Sequence, residues 1–127
     1  MIAVDTSALM AILLDEPSAG ACIEALAGAE QLLISAGTAA EALIVAAQRN
    51  RGAAMVQMLD RLGFEIISVT PAAARRVAAA YAVWGKGVHP AGLNFGDCFA
   101  YEVAKAHDCR LLYIGNDFAQ TDIGSVL

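Results

Sequence analysis

Four acidic residues, Asp5, Glu41, Asp97 and Asp117, stand far apart in the chain, each at or beside an apolar or Ala-rich segment. Asp97 lies in Asn94-Phe95-Gly96-Asp97-Cys98-Phe99-Ala100, where a carboxylate opens a helix otherwise composed for burial. Asp5 ends a short apolar run, Glu41 rides an Ala-rich helix, and Asp117 follows the last apolar strand. A helix start stabilises negative charge, so Asp97 is expected to be held ionised and ready for a cation. Magnesium keeps several waters and takes one or two carboxylates beside substrate phosphate oxygens, so sparse acids from separate chain positions are the protein's expected contribution. The chemistry of such a site is hydrolysis of a phosphodiester, with one or two cations polarising the phosphoryl group and orienting the water. Taken singly, each acid has an ordinary explanation as a cap, a dipole partner, a turn former or an exposed helix residue. Their joint placement at element ends is what points to a site.

The elements that must position these acids alternate. Ile2-Ala3-Val4 reads as a strand ending in Asp5, followed by a helix with Thr6 or Ser7 near its cap. Pro17 suits the first turn of a second helix through residue 29, with Cys22, Ile23 and Leu26 on its apolar face. Residues 31–35 form the next strand. A helix over 38–50 then carries Glu41 in its first turn and Leu43, Ala46 and Ala47 at core spacing. A further helix over 53–62 stops at Gly63, and 64–69 is rich in strand formers. Thr70-Pro71 opens a helix to about Trp84, and the Gly/Pro-rich stretch 85–92 is a loop leading to Asp97. The helix over 96–107 places Phe99, Ala100, Val103 and Ala104 on one face and Asp97, Tyr101 and Lys105 on the other. Residues 110–114 supply the last strand. Apolar strands alternating with helices describe an α/β domain around a short parallel sheet, with ligands expected beyond the carboxyl ends of the strands.

A chain of 127 residues fits one domain, 1–127, with a sizeable core. Apolar residues make up 58% and charged ones 17%, without a run of the roughly 20 apolar residues that a membrane span requires. The N-terminus lacks a basic lead and meets an acid at once, so the expected location is the cytoplasm. Cys22, Cys98 and Cys109 are widely spaced, without a C-x-x-C pair, and read as reduced core residues; His89 and His107 are isolated. The net charge of −5 argues against broad non-specific binding to nucleic acid. Cations bound at the acids would reverse the local sign, leaving Arg49, Arg51, Arg75, Arg76 and Lys86 to line a path or simply to solvate helix faces.

Three segments carry a recognisable pattern: Val4-Asp5-Thr6-Ser7-Ala8-Leu9, Asn94-Phe95-Gly96-Asp97-Cys98-Phe99-Ala100-Tyr101, and residues 111–123 with Ile114-Gly115-Asn116-Asp117-Phe118 at their centre. In this order and across the whole chain they resemble the PIN-domain ribonucleases of the VapC toxin type. The resemblance implies a three-layer, Rossmann-like PIN fold and an endoribonuclease dependent on Mg2+, or Mn2+, that cuts RNA, commonly transfer or ribosomal RNA, and blocks translation. It implies a VapB-type antitoxin and a homodimer. Carried onto this chain, Asp5 and Asp97 look like the principal metal ligands, Glu41 and Asp117 like the third and fourth catalytic acids, and Ser7 like the hydroxyl that orients Asp5. Where many relatives carry two adjacent Asp residues, this chain has Asn116-Asp117. Asn116 is still able to coordinate as a neutral oxygen, and which of the two faces the site stays open at this point.

Two other phosphate-handling α/β layouts fit poorly. A receiver domain would want an acceptor Asp after the middle strand, where residues 66–70 offer none, and a haloacid dehalogenase would want a second Asp where Ser7 stands. The remaining alternative is a catalytically inactive PIN-like interaction module, against which the retention of all four acids speaks.

Overall fold

Asp5 ends one element and starts the next: it follows strand β1 (Ile2–Val4) and its side chain caps helix α1 (Thr6–Leu13). The structure is a computed structural model and describes all 127 residues. Helix α2 (Ala19–Gly28), strand β2 (Leu32–Ser35), helices α3 (Ala36–Gln48) and α4 (Gly52–Arg61) and strand β3 (Glu65–Ile67) follow. Helices α5 (Pro71–Trp84) and α6 (Phe95–Ala106), strand β4 (Arg110–Leu112) and a short 3-10 turn (Phe118–Gln120) complete the chain. Thr70 caps α5, with Pro71 in its first turn where the missing N–H costs nothing. Gly63, with φ of 71°, ends the segment after α4, and Asn50, with φ of 58°, takes the left-handed position after α3.

The four strands form one parallel sheet in the order β3-β2-β1-β4. Val4, Ile34 and Leu112 face a core built with Leu9, Cys22, Leu26, Ala42 and Met55 from α1 to α4. Ala3 and Leu111 face a second core with Ala80 of α5 and Cys98, Ala100, Val103 and Ala104 of α6. The result is the three-layer α/β arrangement expected from the sequence. Burial on both faces explains why β1 and β2 read as continuous apolar runs rather than alternating ones, while β3 at the sheet edge stays largely exposed. The chain winds outward from β1 through β2 to β3, then returns to the other side of β1 as β4. Connections leave the ends of β1 and β4 in opposite directions, and such a reversal opens a crevice at the strands' carboxyl ends.

Several local expectations are corrected. Helix α3 begins at Ala36, so Glu41 lies in its second turn, and Ser35 is the cap. Its buried row is Thr38, Ala39, Ala42 and Ala46, while Leu43 and Ala47 point outward. Small residues win this face because α6 packs closely: the Phe99 ring lies against Gly37, where a Cβ would overlap it. Ile23 is 52% exposed although Cys22 and Leu26 are buried. Tyr101 is buried rather than on the solvent face, because its hydroxyl is satisfied inside. It accepts from Trp84 Nε1 at 3.0 Å and donates to Asp122 Oδ1 at 2.6 Å, and Lys105 Nζ donates to the same carboxylate at 3.0 Å. Glu102, buried on α6, is paired with Arg76 of α5 at 3.4 Å.

Replacing Tyr101 with Phe removes the phenol that pins α5, α6 and the C-terminal segment together and leaves the Trp84 N–H without its partner. The expected cost is about 1–3 kcal/mol in a denaturant titration; an unchanged midpoint would show that this network adds nothing.

Candidate metal centre

The carboxyl ends of β1 and β4 place the first part of the site. Asp5 N–H donates to Leu112 O at 3.0 Å, tying the residue after β1 to β4. Ser7 N–H and Oγ–H both donate to Asp5 Oδ2, at 3.1 and 2.6 Å, and Ser7 Oγ accepts from Ile114 N–H at 3.0 Å. Ser7 therefore fixes the carboxylate and also joins it to the segment leading to Asp117. The other oxygen, Asp5 Oδ1, is buried and has no hydrogen-bond partner. Asp5 as a whole is 4% exposed.

Glu41 enters from α3. Thr6 Oγ–H donates to its Oε1 at 2.6 Å, and a Cβ added to Gly96, in the first turn of α6, would overlap its Oε2. Asp97 closes the opposite side. Asn94 caps α6 by accepting from Asp97 N–H at 2.8 Å, and Asn94 N–H donates back to Asp97 Oδ2 at 3.0 Å, a reciprocal capping box. The three carboxylates share one pattern: a polar group at a helix start holds one oxygen, and the other oxygen accepts no hydrogen bond. Asp117 and Asn116 are exposed in the turn after β4. Asp117 lies near enough for its charge to bear on Asp97.

The electrostatics correct one expectation. Asp97 was expected to be ionised by the helix start, but desolvation raises its pKa to about 7, and the charges of Asp5, Asp117 and Glu41 add to the rise against the Asn94 hydrogen bond. Burial likewise raises Asp5 to about 6, with the Ser7 hydrogen bonds opposing and Glu41 adding. The cap stabilises the anion by too little to offset removal from water beside three like charges. These mutual effects place the four acids in one neighbourhood. No three of them, nor any other His, Cys, Asp or Glu trio, stands in a geometry that grips an ion as it is.

The donor set fits a hard divalent cation. All donors are carboxylate oxygens, the buried Oδ1 of Asp5 wants a positive partner, and no histidine or thiol competes. His89 is structural: it packs edge-on against Trp84 and its Nδ1 accepts from Ala91 N–H. Cys22 and Cys98 are buried and all three cysteines are free. Among the basic residues, Arg76 is engaged by Glu102, and Arg49 and Arg51 follow the end of α3 remote from Glu41. Lys86 borders a groove of about 650 Å3 with Tyr81, Asn94, Phe95 and Phe99. Gly96 was not singled out from the sequence and Thr6 was read only as a residue near the cap of the first helix; their only further signal there was adjacency to Asp97 and Asp5.

Both Asp5 and Asp97 have folded-state pKa values above the ordinary 3.8. Their contribution to stability is thus full below about pH 4 and lost as pH rises through 6 to 7. Thermal melts in chelator are expected to show Tm falling by on the order of 5 °C between pH 5 and pH 8. Asp97→Asn should flatten that slope and added Mg2+ should restore the loss at pH 8; a wild-type Tm that is level or rises across this window would contradict the shifts.

The PIN domain family model matches residues 2–124. Ribonuclease VapC28 of Mycobacterium tuberculosis is 41% identical over 128 residues, covering 98% of this chain and 96% of that protein. Among solved structures, VapC20 of Mycobacterium tuberculosis, described as a sarcin-ricin loop cleaving toxin, superposes with a TM-score of 0.80 at 17% identity, over 99% of this chain and 98% of that one. A toxin-antitoxin complex from Klebsiella pneumoniae gives a TM-score of 0.73 at 22% identity, over 96% and 93%. These two structures share the fold.

Proposed function

This chain belongs to the PIN domain family, and from that premise we propose that it is an endoribonuclease toxin of the VapC type, neutralised by a VapB-type antitoxin. The whole chain, 1–127, acts as one PIN domain in this reading. Asp5 and Asp97 are the principal ligands of a Mg2+ or Mn2+ ion, with Glu41 and Asp117 completing the acidic centre and Ser7 fixing Asp5. Asn116 stands beside Asp117 as a neutral oxygen donor. The bound cation would supply Lewis-acid activation of the scissile phosphate and of the attacking water. The chain's own residues do the rest: Ser7 keeps Asp5 Oδ1 turned away from its own hydrogen bonds, and the Asn94 box presents Asp97 from a rigid helix start.

The observation that carries this reading is the buried, unpartnered Asp5 Oδ1, with Glu41 and Asp97 close enough for their charges to bear on Asp5 or feel it. An inactive interaction module would gain nothing from burying a carboxylate oxygen without a donor, since that burial only costs stability. RNA would reach the acids past Lys86 and the exposed ring of Phe95, and transfer or ribosomal RNA is the proposed substrate class. Ile44, Val83 and Phe95 are exposed apolar side chains of the kind that a homodimer or an antitoxin covers. No helix of the structure is long and apolar enough to cross a membrane, and the proposed place of action is the cytoplasm, with the RNA.

Purified protein is expected to cleave RNA when Mg2+ or Mn2+ is added, to stop on chelation, and to leave 5′-phosphate and 3′-hydroxyl ends. Asp97→Asn should lower cleavage by more than about 100-fold, beyond the 10- to 100-fold typical of losing a group behind the ligands. Cleavage that survives chelation, or that Asp97→Asn leaves intact, overturns the metal mechanism.

A further inference from the structure

We propose that Thr6 is the positioning residue for Glu41, holding one oxygen of that carboxylate so that the other is delivered to the cation at the start of α6. The inference rests on the reading of the acids as a cation site. Glu41 has the longest side chain of the four acids and is carried on the second turn of α3. Such a side chain loses rotamer freedom when it is fixed, so it needs a partner to hold it. Two features fix it here. Thr6 Oγ–H donates to Oε1 at 2.6 Å, and Gly96 leaves open the space that Oε2 occupies.

Thr6 has no other use for this hydroxyl. Asp5 already caps α1, so the first helical position needs no side-chain acceptor. The alternative acceptor, Thr38 O, is 3.4 Å away, too long to compete with the 2.6 Å bond to the carboxylate. Thr6 is buried, so its hydroxyl is shielded from water and its bond to Glu41 is strong. The adjacent residues Thr6 and Ser7 thus each hold one oxygen of a different acid, Glu41 and Asp5, and each leaves the second oxygen without a hydrogen bond. The first turn of α1 aligns carboxylates that arrive on two separate elements.

Mn2+ affinity, measured by calorimetry and by the Mn2+ electron paramagnetic resonance signal, tests this without reference to cleavage. Thr6→Val keeps the shape and deletes the hydroxyl; it is expected to weaken Mn2+ binding about 10- to 100-fold, while Thr6→Ser binds as the wild type does. In a Glu41→Ala background, Thr6→Val should produce no further loss. Circular dichroism melts confirm that each variant is folded. Wild-type affinity in Thr6→Val, failure of Thr6→Ser to rescue, or an equal loss in the Glu41→Ala background would overturn the proposal while leaving the cation site standing. A wild-type protein that takes up no Mn2+ would instead overturn the cation site, and this role with it.

Discussion

The crowding of negative charge at the carboxyl ends of β1 and β4 is the constraint on which the rest of the structure depends. Asp5 is sealed from water with one oxygen unpartnered, and the pKa values of Asp5 and Asp97 are both pushed well above the carboxylate range. A fold that minimised its own energy would place an apolar residue there. The polar groups around the acids do not relieve the repulsion. Each one occupies a single oxygen and fixes its direction, which limits motion and leaves the charge in place. The stability forgone at this spot is what a positive partner would recover on binding.

The surrounding architecture exists to bring the acids within reach. Helices α3 and α6 come close because their facing residues are small: Gly37 beneath the Phe99 ring, Gly96 beside Glu41, and Ala39, Ala42 and Ala46 along one stripe of α3. A larger side chain at Gly37 would press on the Phe99 ring between the helices that carry Glu41 and Asp97, and one at Gly96 would displace the Glu41 carboxylate itself. On the far side, the Trp84, Tyr101 and Asp122 hydrogen bonds anchor α6 to α5 and to the C-terminal segment. The helix that carries Asp97 is held from both faces, so its first turn is a firm platform.

Much of this was legible in the sequence, for definite reasons. Asp5, Asp97 and Ser7 sit at element ends fixed by local rules, namely a strand-to-helix turn and an acid opening a helix, so their positions followed from short-range pattern. The parallel sheet followed from the alternation of apolar strands and helices, and the three layers from the resemblance to the PIN-domain ribonucleases. What was not legible depended on partners distant in the chain. The apolar face of α3 was misread because Leu43 and Ala47 match core spacing as well as Ala42 and Ala46 do, and only the approach of α6 selects the small row. Tyr101 was placed outside because nothing nearby in sequence announces Trp84 and Asp122. The ionisation of Asp97 was misjudged because a cap is a local term, whereas desolvation and the charges of Asp5, Glu41 and Asp117 are properties of the assembled fold.

The pairing of β1 with β4 has a consequence in time. The first strand of the chain is completed by the last, and the hydrogen bond from Ile114 N–H to Ser7 spans 107 residues. The residue that orients Asp5 therefore lacks its own support until the chain is almost fully synthesised, and Asp117 arrives later still. Long-range parallel pairing is also among the slower steps of folding. A chain that folds from its N-terminal part holds Asp5 and Glu41 early, but the four acids are not gathered until β4 pairs with β1. For the nuclease proposed above, this topology makes the acidic centre one of the last parts of the fold to assemble.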